Sequence, residues 1–564
     1  MRRKANGPAV PISFAPYRLP AGTLPEEAAR LASVAAAQPL LARLDDPLPS
    51  GMVATALADV AAGHAAIPEE ACRAADGSLS GAPGPLHACL VSARHRARVE
   101  QNVASALAAG FAGVHLDRPD APVARGILAS GFCPDCQRAF SRELAREYGD
   151  HFMPLDYLAL TREALAQAPG ALGYEKLPFG REFWRFRAEA LERAVAAHAR
   201  AARDAARAAA RSFLVTAQFE AVGPAQLGCL RHLDAAVFPA KADAQTNGAG
   251  LFRLLRAAAG RRSCAVALSG ELEPRLVQRL AGVAAACGLE VIGMEPGKVI
   301  PDLALLRRFA RDSAAERGAP GFAQPVCECA VLYSADCDLW TAGEHREQVE
   351  RAGDVLAALQ IQAPVVLRVA EAPPTATLVL AGAAALPSLE SAELKRRVEA
   401  GGTALVFGEL GAVDEVGRRI APALPPARPS PGRVGKGTTI GLGRLPAPRP
   451  GTLPEPGQLE PLSRALSALI GKGRRAASVA GRSPMLVALY RQEERLAAHL
   501  VSLGTGPAQG ATLFLGLRVA GTASRARFQT ASGADERIVM NPSGYSISTV
   551  LPAFAGYAVL TVGA

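Results

Sequence analysis

The chain has 564 residues, 49% of them hydrophobic and 20% charged. It is too long for one core and too apolar for a disordered chain, so two to four globular domains are expected. Its net charge of +10 is spread along the chain, much of it on helical stretches such as Arg181 to Arg211. With no Lys/Arg run interleaved with aromatics, that excess does not point to nucleic acid.

No apolar stretch of eighteen residues is free of charge, so no transmembrane helix is expected. Met1-Arg2-Arg3-Lys4 is basic, but Ala5 to Pro20 holds no continuous apolar core and does not read as a secretory signal. A cytoplasmic protein with reduced thiols is expected, and Cys89, Cys264 and Cys287 fall in apolar patterns that suit buried thiols.

In chain order, residues 1–315 alternate short apolar runs with long Ala/Leu/Arg helices, the pattern of repeated βα units. Strands are predicted at Pro11–Tyr17, Pro39–Leu44, His87–Ser92, Gly113–Asp117, Phe213–Phe219, Ala235–Ala240, Cys264–Ser269 and Leu289–Glu295. Helices are predicted at Ala97–Ala109, Phe183–Arg211, Gly248–Ala259 and Leu276–Cys287. Eight such units suit an N-terminal (β/α)₈ TIM barrel, with a doubly wound open sheet as the alternative. Gly51–Ala75 reads as irregular.

Arg311–Pro325 reads as a linker, and a flavodoxin-like parallel α/β domain is expected over 325–445. Its strands are predicted at Glu328–Tyr333, Pro364–Val369, Ala376–Ala381 and Thr403–Phe407, with helices at Glu344–Ala358 and Ser391–Ala400. Pro422–Pro456 is Pro/Gly-rich and loop-like. Over 475–564, six alternating runs between Leu486 and Val562 predict a small antiparallel β-sandwich domain.

In a barrel, chemistry sits at the C-terminal ends of the strands. Four predicted strands end in an acid there: Asp117, Glu220, Glu271 and Glu295. Glycosidic cleavage needs such an array, one carboxyl to protonate the leaving group and one carboxylate to attack or to activate water. Any one of these acids could instead cap a helix or pair with an Arg, but four on one rim favour a site. His115 and Gln218 alternate into the same region, and Arg118 follows Asp117 directly. The two tryptophans, Trp184 and Trp340, are candidate platforms for a sugar ring, with core packing as the alternative.

Phe132-Cys133-Pro134-Asp135-Cys136 contains a CxxC, which suits half a zinc knuckle, a redox pair or neither. There is no second CxxC. Cys89 is a distant partner and His151 a weaker one, so no metal and no cofactor is expected. Gly432-Arg433-Val434-Gly435-Lys436-Gly437-Thr438 hints at a phosphate loop, but its spacing is short and no helix pattern follows, so it reads as a turn into a strand. Neither GxSxG nor HExxH is present.

The run Gly110 to Asp117 with Phe132 to Phe140 resembles the barrels of glycoside hydrolase family 42 β-galactosidases. Cys329 to Ser334 with Trp340 resembles that family's trimerisation domain, and Leu551 to Leu560 its C-terminal β domain. The resemblance implies a saccharide substrate, a homo-oligomer (trimer or dimer), an acid/base at Asp117 and a nucleophile at Glu271. Two positions depart from it. The family's Asn-Glu at the fourth strand is Leu116-Asp117 here, and the first cysteine of its CxCxxC is Gly131. Alternatives are Asp117 as nucleophile with Glu220 as acid, or a saccharide-binding or assembly protein without catalysis. The second domain also resembles class I glutamine amidotransferases, but Leu380 to Ala385 holds no cysteine for their nucleophile.

Overall fold

The computed structural model describes chiefly residues 56–149, 155–167, 177–241, 248–269, 274–293, 324–411, 431–443, 456–470 and 475–563, with a few isolated positions outside these ranges and positions 493 and 505 excepted. Of the predicted site residues, Glu271 and Glu295 lie outside the described residues, as does His151. The chain divides into two compact units, Met1–Pro239 with Arg262–Ala267, and Ala240–Arg261 with Leu268–Ala564.

The early strands are β1 Tyr17–Arg18, β2 Leu40–Ala42, β3 Leu57–Val60, β4 Gly113–Asp117, β5 Leu214–Gln218, β6 Ala235–Lys241, β7 Ser263–Ser269 and β8 Glu290–Gly293. In the first unit β1 to β7 lie side by side in chain order, and each neighbouring pair from β1 to β6 is parallel. Parallel neighbours bring all their C-terminal ends to one edge, which gathers polar residues distant in sequence. The strands read as near-continuous apolar runs because both faces are covered; Val114, Leu116, Val215 and Ala217 are fully buried.

The helix Gly180–Ala208 buries Phe183, Arg187, Leu191, Ala194, His198 and Ala202, a spacing of three and four residues that keeps one face inward. Its many alanines lose little entropy on becoming helical.

The third strand is Leu57–Val60, within the stretch expected to be irregular, and not His87–Ser92. Asp59 and the shortness of the run hide its period, although Leu57, Ala58 and Val60 are buried. His87–Ser92 is instead a loop. His87 and Ala88 make isolated antiparallel bridges to His64 and Ala71, and the Ser92 side chain caps the helix Ala93–Ala108 by accepting from His95 N.

In the second unit β9 is Gln324–Pro325, β10 Cys329–Leu332, β11 Val365–Val366, β12 Thr377–Ala381, β13 Thr403–Phe407, β14 Gly432–Val434 and β15 Gly437–Gly441. The strands β10 to β15 form a sheet in the order β11-β10-β12-β13-β15-β14, parallel except for β14. The glycine-rich run around Lys436 is the β14–β15 hairpin, as its spacing suggested.

The last strands are β16 Ala477–Ala480, β17 Met485–Gln492, β18 Arg495–Ser502, β19 Thr512–Gly516, β20 Arg525–Thr530, β21 Asp535–Val539, β22 Asn541–Ser543, β23 Ser546–Val550 and β24 Tyr557–Val562. They make two sheets, β16-β19-β23-β22 and β21-β20-β24-β18-β17-β9. Val487, Leu500, Phe528 and Leu560 of one sheet share a core with Leu513, Leu515 and Ile547 of the other. That is the packing of a β-sandwich. Among the described residues, no helix is long and apolar enough to cross a membrane.

Also in the second unit, the helices Ala249–Ala259 and Glu344–Ala358 meet at glycines. A Cβ on Gly250 would stand 1.9 Å from Glu350 O, and one on Gly353 would stand 2.5 Å from Gly250 Cα. Asp354 Oδ1 accepts the Gly250 N–H at 2.8 Å in the same crossing. Gly250→Ala is expected to force these helices apart and destabilise the protein by about 1–3 kcal/mol or more, measured as a lower urea midpoint.

Candidate functional site

The fully buried strand β4 carries Asp117 to the polar edge of the first unit's sheet. Parallel register sets Asp117 beside Gln218, and His115 beside Thr216. Glu220 follows two residues after Gln218, so two acids about a hundred residues apart in sequence share one edge.

The link between them is Arg118. Its backbone is left-handed, with φ 42°, which turns the chain sharply at the end of β4. Its Nε and Nη2 donate to Asp117 Oδ2, each at 3.4 Å, and its Nη1 donates to Glu220 Oε1 at 3.2 Å. Arg125 approaches the other oxygen of Glu220 at 4.0 Å. His64 joins the group from the end of β3. Burial and the Arg118 charge lower its pKa, while Asp117 and Glu220 pull it back up.

Beneath them Asp120 is fully buried. Its oxygens accept the N–H groups of Glu220 at 2.9 and 3.1 Å and of Ala221 at 3.1 Å, and the Gln226 side-chain amide at 2.9 Å. Burial pushes its pKa up to about 6, against the pull of those hydrogen bonds. Asp120 therefore orients the Glu220 backbone. His115 has no exposed surface, and its Nδ1 lies 2.9 Å from Thr216 Oγ1. The Thr216 hydroxyl also reaches Val114 O at 3.2 Å.

Of the residues singled out in the sequence, Asp117, Arg118, Gln218 and Glu220 converge on this edge, with His115 behind it. Trp184 stands half-buried with the Arg187 guanidinium 5.7 Å from its ring. Trp340 ends the short helix Ala335–Trp340 of the second unit. Sequence reasoning missed His64 and Asp120. The Gly63-His64 pair after a short strand was the available signal for the first, and the Pro119-Asp120 break for the second.

A second cluster bears on the expectation of no metal, because it gathers four residues that could hold an ion. Cys72 and Cys89 lie against Cys133 and Cys136, with all four sulfurs within 4.8 Å of one another. The antiparallel Ala71–Ala88 bridge brings Cys72 and Cys89 together on its two diagonal sides, and Cys133 and Cys136 open the helix Pro134–Tyr148. Sulfur separations are 3.9 Å for Cys72–Cys133, 3.8 Å for Cys72–Cys136, 3.5 Å for Cys89–Cys136 and 3.3 Å for Cys89–Cys133. Four sulfurs bound tetrahedrally at about 2.3 Å would stand about 3.8 Å apart, so these thiols fit one small tetrahedral ion.

All four cysteines are buried within Phe132, Phe140, Tyr157, Phe183 and Phe186. Hydrogen bonds among the thiols hold Cys72 and Cys133 below the usual thiol range and push Cys89 and Cys136 above it. The departure at Gly131 is met by Cys72, whose sulfur accepts the Gly131 N–H at 3.0 Å. A Cβ on Gly131, whose φ is +98°, would stand 2.7 Å from Phe183. Periodicity could not reveal this site, because Cys72 arrives from an irregular loop.

Asp120→Asn sets an amide NH₂ against donors that now meet a carboxylate. It is expected to destabilise the protein by about 1–3 kcal/mol at pH 7 in urea unfolding.

No protein-family model matches the chain, and no curated protein matches it by sequence. Solved structures do match. A cold-adapted β-galactosidase from Rahnella sp. R3 is 12% identical with a TM-score of 0.62, covering 95% of this chain and 89% of its own. A catalytic mutant of a GH42 β-galactosidase from G. stearothermophilus is 12% identical with a TM-score of 0.60, covering 90% and 88%. An α-L-fucosidase isoenzyme from Paenibacillus thiaminolyticus is 13% identical with a TM-score of 0.58, covering 95% and 89%. At these identities the likeness is one of fold, and in fold this chain is similar to the β-galactosidases of glycoside hydrolase family 42.

Proposed function

We propose that the chain is a glycoside hydrolase whose first eight strands form a (β/α)₈ barrel, with the carboxylates of its rim cleaving a glycosidic bond in an oligo- or polysaccharide. The observation that carries this reading is the convergence of Asp117 and Glu220 on one guanidinium at the C-terminal edge of a parallel sheet, in a fold similar to glycosidases. Cleavage would need a carboxyl that protonates the leaving oxygen and a carboxylate on the opposite side of the sugar. Asp117 and Glu271 are the proposed pair. Glu220 is the alternate for either role, and Arg118 and Gln218 are the proposed contacts to the sugar.

The Arg118 clamp also favours a second reading. A guanidinium already holding Asp117 and Glu220 leaves them poorly placed to transfer a proton, which suits saccharide binding without turnover. The test is hydrolysis across a panel of aryl glycosides and oligosaccharides. Asp117→Asn and Glu271→Gln are each expected to lower kcat by about a thousandfold or more, with KM changed far less. Unchanged hydrolysis in either variant removes that residue from the reaction, and binding without any turnover supports the second reading.

We also propose that Cys72, Cys89, Cys133 and Cys136 hold a structural zinc ion. Four thiolates leave no open position, so its contribution would be to stability, not to bond cleavage. The purified protein is expected to hold one zinc per chain by elemental analysis, and Cys72→Ser to lose it together with a large part of the thermal stability. A chain with full stability and no zinc would refute this assignment.

A further inference from the structure

Arg187 lies on the inward face of the helix Gly180–Ala208 and is 3% exposed. Among the described residues no carboxylate pairs with it. Its hydrogen bonds all go to neutral groups: Nη1 donates to Gly126 O at 2.7 Å, and Nη2 to Pro122 O at 2.5 Å and to Ser130 Oγ at 2.7 Å. The rings of Phe183 and Trp184 lie 5.9 and 5.7 Å from its guanidinium carbon. A guanidinium buried among neutral partners is costly unless an anion stands close by.

The cysteine cluster stands close by. Gly131 separates the two: its N–H donates to Cys72 Sγ at 3.0 Å, and the position of its absent Cβ lies 3.3 Å from Arg187 Cδ and 3.5 Å from Arg187 Nε. Burial lowers the Arg187 pKa to about 10, while charge on Cys72 and Cys136 acts to raise it. A divalent ion held by four thiolates carries two net negative charges, here inside a shell of aromatic rings. The buried cation and the buried anionic centre each offset the other's cost.

We propose that Arg187 is the counter-ion of the four-cysteine metal centre, so that metal affinity and the order of residues 122–131, a helical turn and the loop after it, depend on each other. This inference rests on the zinc reading. When zinc binds, the thiol protons leave and the centre becomes anionic; Arg187 is then compensated and keeps its grip on the carbonyls of Pro122 and Gly126. When zinc leaves and the thiols take protons back, Arg187 becomes an isolated buried cation. The same loop follows Arg118 and Asp120, so metal occupancy would be felt at the carboxylate edge.

The test uses the full chain and three variants: Arg187→Gln, which keeps polar contacts without the charge; Arg187→Lys, which keeps the charge; and Ser130→Ala, which removes one hydroxyl with its hydrogen bonds to Arg187 Nη2 and Pro122 O and leaves the charge in place. Zinc affinity is read by competition with a chromogenic chelator, and melting temperature is read with and without zinc. Arg187→Gln is expected to weaken zinc binding by about 10–100-fold, with the Lys and Ser130→Ala variants within a few-fold of wild type. The Gln variant should lose more melting temperature with zinc than without it. Equal weakening by Gln and Lys, or a Gln variant that binds zinc like the wild type, overturns the counter-ion role while leaving the zinc site intact. If Arg187→Gln does not fold, Ser130→Ala and Arg187→Lys still decide: losses in both as large as 10-fold assign the effect to hydrogen bonding and overturn the proposal, whereas retained affinity in both supports it. A wild-type chain that takes up no zinc overturns the zinc reading itself, and this one with it.

Discussion

Beyond β3 the backbone of Gly63 runs directly against the carbonyl of Arg118, so closely that a Cβ there would stand 1.7 Å from the oxygen. Its N–H donates to Asp117 O at 3.1 Å, and its own carbonyl accepts from Ala88 N at 3.0 Å. One residue with no side chain thus ties the end of β3 to the end of β4 and to the loop that carries Cys89. The left-handed turn at Arg118 is set against this contact, and from that turn its side chain reaches Asp117 and Glu220. Both polar clusters of the first unit depend on the approach.

The clusters divide the work by chemistry. At the edge, half-buried Arg118 and Glu220 meet the buried Asp117, and Asp120 uses its carboxylate to hold the Glu220 and Ala221 backbone and the Gln226 amide. At the cysteines every sulfur is buried and the surroundings are aromatic, which suits permanence. The two are joined by one stretch of chain, held at Asp120 on one side and at Arg187 on the other.

Much of the fold was legible in the sequence. Gly113–Asp117, Glu344–Ala358, Thr403–Phe407, Arg495–Ser502 and Arg525–Thr530 fall where the apolar periods put them, because burial on fixed faces decides those elements. Leu57–Val60 was hidden since four residues with an Asp among them carry no period. Asp117 and Glu220 were legible as strand-end acids, yet their shared guanidinium was not, since it needs the parallel register and the Arg118 turn together. Cys72 was invisible for a similar reason: loop bridges, not periodicity, bring it 61 residues back to Cys133.

In the second unit, β9 pairs as an edge strand with β17, Pro325 against Tyr490. The nearby Gln362 side chain donates to Val487 O and accepts from Leu489 N, and Glu328 accepts from Ala476 N. The strand that comes just before the parallel sheet in the chain therefore belongs to the other fold of the same unit. During synthesis on the ribosome, Gln324–Pro325 emerges long before β17 exists, so its edge waits unpaired. The hydrogen bonds from Gln362 and Glu328 likewise form only after β17 and Ala476 have been made, so the two folds share part of their stability.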